Sequence, residues 1–335
     1  MSQLTNMPDF LMITGNEGEE RPSETVIREF EKAIADTNSV RVINADAYFV
    51  SRFLFRLWKP ESDFRLSRLP LKILNQLVYR NPKNYFVVLM GPRFPKCFPY
   101  FLRNGRKAVF LFDAWPSYYP YITRFINDFK VDYVFVSSEQ SAWNLNRIIG
   151  KKNVYWIPEG VNPGDYQFLP VENRDIDVLS FGRKYEDFHN KIAEPLMQEK
   201  INYLYSSANE KIFNNTESFI EGLSRTKISI CFPTSLTHPQ RAGNIETMTN
   251  RYLQSMASKC LVLGKAPDEM IRLFGYNPVV DADFNHPVQQ IKDILDNFGQ
   301  YTELIEKNYR NVVMNHAWIN RWEKISEILS GKTNL

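Results

Sequence analysis

The sequence predicts an α/β protein made of two Rossmann-like domains. Three observations carry that reading. Strand-like apolar runs alternate with helix-length segments along most of the 335-residue chain. The length exceeds what one hydrophobic core ordinarily serves, about 250–300 residues. The alternation pauses at one polar, irregular stretch, Gly164 to Arg174, whose composition suits a linker.

In the first half Phe10–Thr14, Val40–Asn44, Tyr85–Met90, Ala108–Phe112, Tyr133–Val136 and Val154–Ile157 read as strands. Helical periodicity lies between them at Val26–Ile34, where Ile27, Phe30 and Ile34 share a face, and at Ser141–Ile149. The second half repeats the pattern. Its strands are Ile176–Phe181, Asn202–Tyr205, Ile228–Phe232, Cys260–Leu263 and Pro278–Val280. Its helices fall near His189–Gln198, Glu217–Ser224, Glu246–Ser258, Val288–Phe298 and Thr302–Val313. The expected division is 1–163, 164–315 and a terminal segment 316–335. In open parallel sheets ligands bind beyond the carboxyl ends of the strands, so functional side chains are expected just after strands.

Composition narrows the class. Hydrophobic residues make up 44% and charged residues 24%, the balance of an ordinary globular protein. Cys97, Cys231 and Cys260 are far apart and show no C-x-x-C spacing, which suits a reducing compartment and suggests neither a disulfide framework nor a zinc site. Residues 1–30 lack a secretory pattern, and no apolar run is long enough to span a membrane, so the expectation is a cytoplasmic protein. Between Arg41 and Lys107 basic residues far outnumber Asp46, Glu61 and Asp63, and Phe53, Phe55, Trp58, Phe64 and Leu69 are interleaved with them. This stretch suits an anionic membrane surface or an acidic acceptor; the alternative is a solvated basic face over a normal core. Nucleic acid is disfavoured as a partner, because the pI is only about 8.5 and no recognition motif occurs.

Gly-x-Gly-x-x-Gly after a strand, a Walker loop, His-Glu-x-x-His and Gly-x-Ser-x-Gly are all absent, which removes weight from NAD enzymes, P-loop kinases, zincins and α/β-hydrolases. The informative stretch is Asn244-Ile-Glu-Thr-Met-Thr-Asn-Arg-Tyr-Leu-Gln-Ser-Met-Ala-Ser-Lys-Cys-Leu-Val-Leu-Gly264. A helix starting near Glu246 would offer unpaired amides and a positive dipole end to phosphate, with Thr247 and Thr249 as hydroxyl donors and Arg251 as a cation.

This segment resembles the donor-binding signature of group 1 glycosyltransferases of the GT-B fold, which pair two glutamates as Glu-x7-Glu. Glu246 matches the first, and Gln254 stands at the second. Trp156-Ile-Pro-Glu-Gly-Val-Asn-Pro163 resembles the family's Pro-Asn-Gly-Val-Asp-Pro joint, and Ser180-Phe-Gly-Arg-Lys184 its Gly-Arg turn. The tail, with Met270-Ile-Arg-Leu-Phe-Gly and His316-Ala-Trp-Ile-Asn-Arg-Trp-Glu, resembles the short bacterial branch, whose last helix crosses back to the first domain.

The resemblance implies two Rossmann-like domains facing across a cleft and a transfer of sugar from a nucleotide-diphosphate sugar to a glycan or lipid-linked acceptor. It further implies retention of configuration and a place in surface-polysaccharide synthesis, with no obligatory metal. Glu246 would lie beside the transferred sugar and Gln254 at the ribose. Arg183 would hold the diphosphate with Lys184 or Lys191 as helpers, and Glu159 and Gly160 would meet the donor from the joint. Pro233 and Thr234 would lie near the base, with His238 at the sugar or phosphate. In the first domain Asp113 closes a strand where an acceptor hydroxyl would lie, as orienting group or base, with helix capping as the alternative. Trp115, Tyr118, Tyr119 and Tyr121 suit either sugar stacking or core packing. Asp175-Ile-Asp177 and Asp281-Ala-Asp283 look like a metal-binding Asp-x-Asp but stand at ordinary solvated strand ends. Gln254, and a downstream lysine, Lys191, that does not stand at the family's usual spacing, leave open a non-catalytic nucleotide-sugar-binding partner with the same shell; a GT-B nucleotide-sugar epimerase is a further alternative.

Overall fold

Each half of the chain builds a wholly parallel sheet. The computed structural model describes residues 10–15, 25–45, 55, 58, 83–98, 100–206 and 212–331. The first sheet comprises β1 (Phe10–Thr14), β2 (Arg41–Asn44), β3 (Asn84–Met90), β4 (Lys107–Phe112), β5 (Tyr133–Val136) and β6 (Val154–Trp156), in the order β2-β1-β3-β4-β5-β6. Its centre is buried on both faces: every residue of β4 is buried, as a parallel sheet covered by helices requires. The helices here are α1 (Thr25–Ala35), α2 (Tyr119–Phe129) and α3 (Glu139–Ile149). In α1, Ile27, Phe30 and Ile34 form the buried stripe. Helix α3 is capped by Ser138, whose side chain accepts from Ser141 N, and ends on Gly150 in the left-handed region.

The second sheet has β7 (Ile176–Ser180), β8 (Tyr203–Tyr205), β9 (Thr226–Cys231), β10 (Leu261–Gly264) and β11 (Val280–Asp281), in the order β11-β10-β9-β7-β8. Its helices are α4 (Glu186–Gln198), α5 (Thr216–Ser224), the single turns α6 (Thr234–Thr237) and α7 (Pro239–Ala242), α8 (Asn250–Ala257), α9 (Asp268–Phe274), α10 (Pro287–Asp296) and α11 (Thr302–Asn315); α12 (Trp318–Leu329) follows, and from Arg321 onward it belongs with the first sheet. Strand order reverses between β7 and β9, since β8 lies on one side of β7 and β9 on the other. The carboxyl ends of β7 and β9 therefore flank a switch point, where the backbone amides of two diverging loops leave a crevice.

Contacts divide the chain into Met1–Pro158 with Arg321–Leu335, and Glu159–Asn320. In the first unit Trp322 is fully buried, packs on Phe86 at 5.3 Å and donates its indole N–H to Ser39 Oγ at 2.8 Å. In the second, segment 163–174 has only two short 3-10 turns. It is tied down by Arg174, whose guanidinium donates to the carbonyls of Leu169, Thr226 and Lys259.

Sequence periodicity placed the expected strands within a residue or two of the observed ones, but it passed over α2, α9 and the single turns α6 and α7. The helix expected from Glu246 begins only at Asn250. Among the described residues no helix is long and apolar enough to cross a membrane.

Candidate functional site

The loops leaving β7, β9 and β10 converge on the start of α8. Arg251 joins them. Its Nη1 donates to the carbonyl of Arg183 at 2.8 Å and, more weakly, to that of Phe181 at 3.4 Å, while Nη2 reaches the carbonyl of Phe232 at 3.1 Å. These carbonyls lie beyond the last residues of β7 and β9, where no ladder continues, and the planar guanidinium fork satisfies them. Gly182 is required beside it: φ is +72°, and a Cβ there would stand 3.2 Å from Arg251 Cδ. Arg251 was expected to meet phosphate directly; its terminal nitrogens instead hold the loops after β7 and β9.

The approach to α8 is also corrected. Glu269 is 3% exposed, and its Oε1 accepts from Thr247 Oγ1 at 2.6 Å and from Met248 N at 2.8 Å. Glu159, 8% exposed, accepts the N–H of Asn250 at 2.6 Å. Two protein carboxylates thus hold amides that sequence reasoning assigned to phosphate, and Thr247 is buried as a ligand of Glu269 rather than of a donor. The capture of Met248 N by Glu269, together with β-branched Thr247 and Thr249, explains why the helix starts late. Thr249 is the extended residue before the helix, with no side-chain cap bond.

Glu246 lies on this approach loop, and Lys265, the first residue after β10, donates to its Oε1 at 2.7 Å. Lys265 is set by Gly264, where φ is +151° and a Cβ would fall 1.9 Å from the Cys231 carbonyl oxygen. Gln254 donates Nε2 to the Tyr166 hydroxyl at 2.9 Å. Gly160 allows close packing on Trp318, whose ring atoms would lie 2.9 Å from a Cβ, so its smallness serves the fold.

The remaining expected residues separate into near and distant groups. Pro233 and buried Thr234 form the turn after β9, and the Thr234 carbonyl accepts His238 N at 2.8 Å. Partial burial, then Arg183, Arg241 and Arg251, hold the His238 imidazole below its ordinary pKa of 6.5, which marks a concentration of positive charge beside the switch point. Lys184 turns instead to His189 Nε2 at 3.2 Å and to the Tyr205 ring face. Lys191 is exposed on α4 and donates to the Phe284 carbonyl at 2.8 Å.

In the first unit Asp113 directly follows β4 with φ of +51°, an uncommon conformation outside glycine, and its carbonyl accepts Trp115 N at 2.8 Å. Trp115 is buried, and Tyr119, also buried, donates to Ser141 Oγ at 3.1 Å. Half-buried Tyr121 packs at a tilt on Trp58 and Phe94 at the edge of the same core, and Tyr118 is half-buried beside Gly91. Trp58 is 3% exposed, and Phe55 packs on it, so these two aromatics of the basic stretch face the core rather than a membrane. Lys107 is buried on the Phe129 carbonyl, and Lys96 pairs with Glu31. Arg52, Arg56, Lys59, Arg65, Arg68, Lys72, Arg80, Phe53, Phe64 and Leu69 lie outside the described residues.

No protein-family model and no curated protein sequence matches the chain. Solved structures do. Anabaena HepE in complex with UDP and glucose superposes with a TM-score of 0.59 at 11% identity, over 97% of this chain and 100% of that one. A glycosyltransferase from Rickettsia africae gives 0.58 at 13% identity, over 98% and 100%. TarM gives 0.53 at 15% identity over 78% of this chain, which matches 57% of TarM's length.

The fold is GT-B. In this GT-B chain the two Asp-x-Asp pairs are engaged by the protein. Asp175 pairs with Arg225, and Asp177 with Lys227 at 2.7 Å. Asp281 accepts from Asn277, while Asp283 caps the amides of Asn285 and His286. Among the described residues no cluster of three or more metal-ligating side chains occurs. Sequence reasoning missed Lys265, Glu269 and Tyr166. Lys265 carried a usable signal, because it directly follows a buried strand, where functional side chains are expected.

Proposed function

We propose that the chain is a glycosyltransferase that moves a sugar from a nucleotide-diphosphate donor to a glycan or lipid-linked acceptor. The observation that carries this is the Arg251 fork at the switch point of the second sheet. It holds the Arg183 and Phe232 turns together, with Arg183, Arg241 and Arg251 acting jointly on His238. Convergent positive charge at that place suits a diphosphate that gains charge as the glycosidic bond breaks. HepE, of the same fold, is seen with UDP and glucose, so a uridine diphosphate sugar is the first donor to try.

In this reading the second unit binds the donor. Arg183 holds the diphosphate, Pro233 and Thr234 border the base, Gln254 with Tyr166 lies toward the ribose, and the Glu246 carboxylate, aligned by Lys265, faces the sugar. The first unit binds the acceptor, with Asp113 orienting its hydroxyl. Retention of configuration, metal independence and a polysaccharide pathway follow from the resemblance of the Glu246 segment to group 1 enzymes. Attachment to the inner membrane face through 41–107 remains part of the proposal for the residues outside those described.

A thermal-shift panel of UDP, GDP, ADP and CMP with their sugar conjugates tests this. A ligand at 100 times its Kd stabilises the folded protein by about 2.7 kcal/mol. Stabilisation by one diphosphate, lost in Arg183→Ala, supports the reading. No shift at millimolar concentration refutes it and favours a chain that keeps the fold without the donor site.

A further inference from the structure

At the start of α8 three polar side-chain atoms are buried without any protein partner: Asn250 Oδ1, Asn250 Nδ2 and Thr249 Oγ1. Asn250 is 8% exposed, and its backbone N–H is already taken by Glu159. A carboxamide is costly to bury with both ends unsatisfied, and such a cost persists where a ligand completes the bonds. The chemistry of the missing partner can be read from the atoms. Asn250 offers one acceptor and one donor group, and Thr249 adds a hydroxyl that does either. A phosphate only accepts, and would face Asn250 Oδ1 oxygen to oxygen. A pair of hydroxyl groups, each able to donate and accept, matches the set.

We propose that Asn250, with Thr249, reads two hydroxyl groups of a sugar carried on a nucleotide diphosphate. The inference rests on the transferase reading above and deepens it: Arg183 recognises the diphosphate, and the residues four and three positions after Glu246 select the sugar. Thr249 and Glu246 are only half-buried, so this part of the chain lies near solvent. In this proposal the buried Asn250 carboxamide turns toward that solvent-facing side as the sugar binds. A site that hydrogen-bonds substrate hydroxyls discriminates strongly against analogues lacking them.

The test is calorimetric titration of wild type, Asn250→Leu and Thr249→Val with UDP, GDP and ADP and with their hexose and N-acetylhexosamine conjugates. Leucine keeps the volume and removes both orphaned atoms, and a melting curve verifies that the variant folds; Asn250→Ser serves if it does not. The expected result is unchanged affinity for the free diphosphate and at least a tenfold loss of the extra affinity conferred by the sugar. An unchanged sugar increment in a folded variant overturns the inference and leaves the diphosphate site standing, as does a wild type that binds the diphosphate but gains nothing from any sugar. A wild type that binds no diphosphate overturns both readings.

Discussion

The carboxylate of Glu159 accepts the backbone N–H of Asn250 at 2.6 Å, joining positions 91 residues apart. Glu159 directly follows Pro158, where the first unit ends, so the chain enters the second unit by capping the helix that borders the candidate site. The negative charge meets the positive end of the α8 dipole in a buried setting. We expect Glu159→Ala to destabilise the protein by about 1–3 kcal/mol, through a lost charge-assisted bond and an unsatisfied amide. Denaturant titration checks this. Glu159→Gln should recover part of the loss, because its oxygen still accepts.

Arg251→Lys keeps the charge and loses the fork. One ammonium cannot hold the carbonyls of both Arg183 and Phe232 in the geometry seen here. The Gly182 turn, whose left-handed backbone is packed against the Arg251 stem, should then loosen. The expected outcome is a lower melting temperature and roughly tenfold weaker nucleotide binding, a loss of about 1.4 kcal/mol. Titration of UDP against both proteins measures it; equal affinity would show that the loops hold without the fork.

The parallel sheets and most helices were legible from hydrophobic alternation, because buried strands such as β4 leave continuous apolar runs that no polar partner disguises. The Gly182–Arg183 turn was legible only through the resemblance of Ser180–Lys184 to a family's Gly-Arg turn after a strand, and Gly182 does stand there in the left-handed region. The use of each cation was not. Arg251, Lys184 and Lys191 look equivalent as sequence, and only the tertiary positions of the Phe232 carbonyl, His189 and the Phe284 carbonyl separate them. The same holds for the start of α8: a sequence cannot show that Glu159 and Glu269, distant along the chain, arrive at Asn250 and Met248 and take up those two amides. Buried Trp115 and Trp58 were ambiguous for another reason, since an aromatic side chain suits a core as well as a sugar face, in the case of Trp115, or a membrane surface, in the case of Trp58.

Glu246→Gln tests the catalytic assignment. The Lys265 ammonium at 2.7 Å keeps the Glu246 carboxylate aligned, and a neutral amide loses the charge that would face the sugar as it departs. Turnover of the donor identified by thermal shift should fall at least about 100-fold, with affinity for the free diphosphate unchanged. Lys265→Met should lower turnover less, because it removes the alignment and leaves the carboxylate. Product analysis by mass spectrometry reads both. Full turnover in Glu246→Gln would move the chemistry elsewhere.

His189 gives a pH dependence whose sign follows from its surroundings. It is 8% exposed, with Nδ1 against the Tyr203 hydroxyl at 2.9 Å and Nε2 against Lys184, and burial, then Lys184, push its pKa below the ordinary 6.5, while Glu186 acts weakly in the opposite sense. The folded state therefore keeps the imidazole neutral where the unfolded chain binds a proton. Below about pH 6.5 the unfolded state takes up more protons, so stability is complete above that value and is lost as pH falls through it, at up to about 1.4 kcal/mol per pH unit. The urea midpoint of wild type should drop between pH 7.5 and 5.5. In His189→Gln, which carries no titrating ring, the drop should be smaller by the share this histidine supplies. An equal drop in both proteins would assign the acid sensitivity to other groups, of which His238, with its pKa lowered in the same direction, is the next to replace.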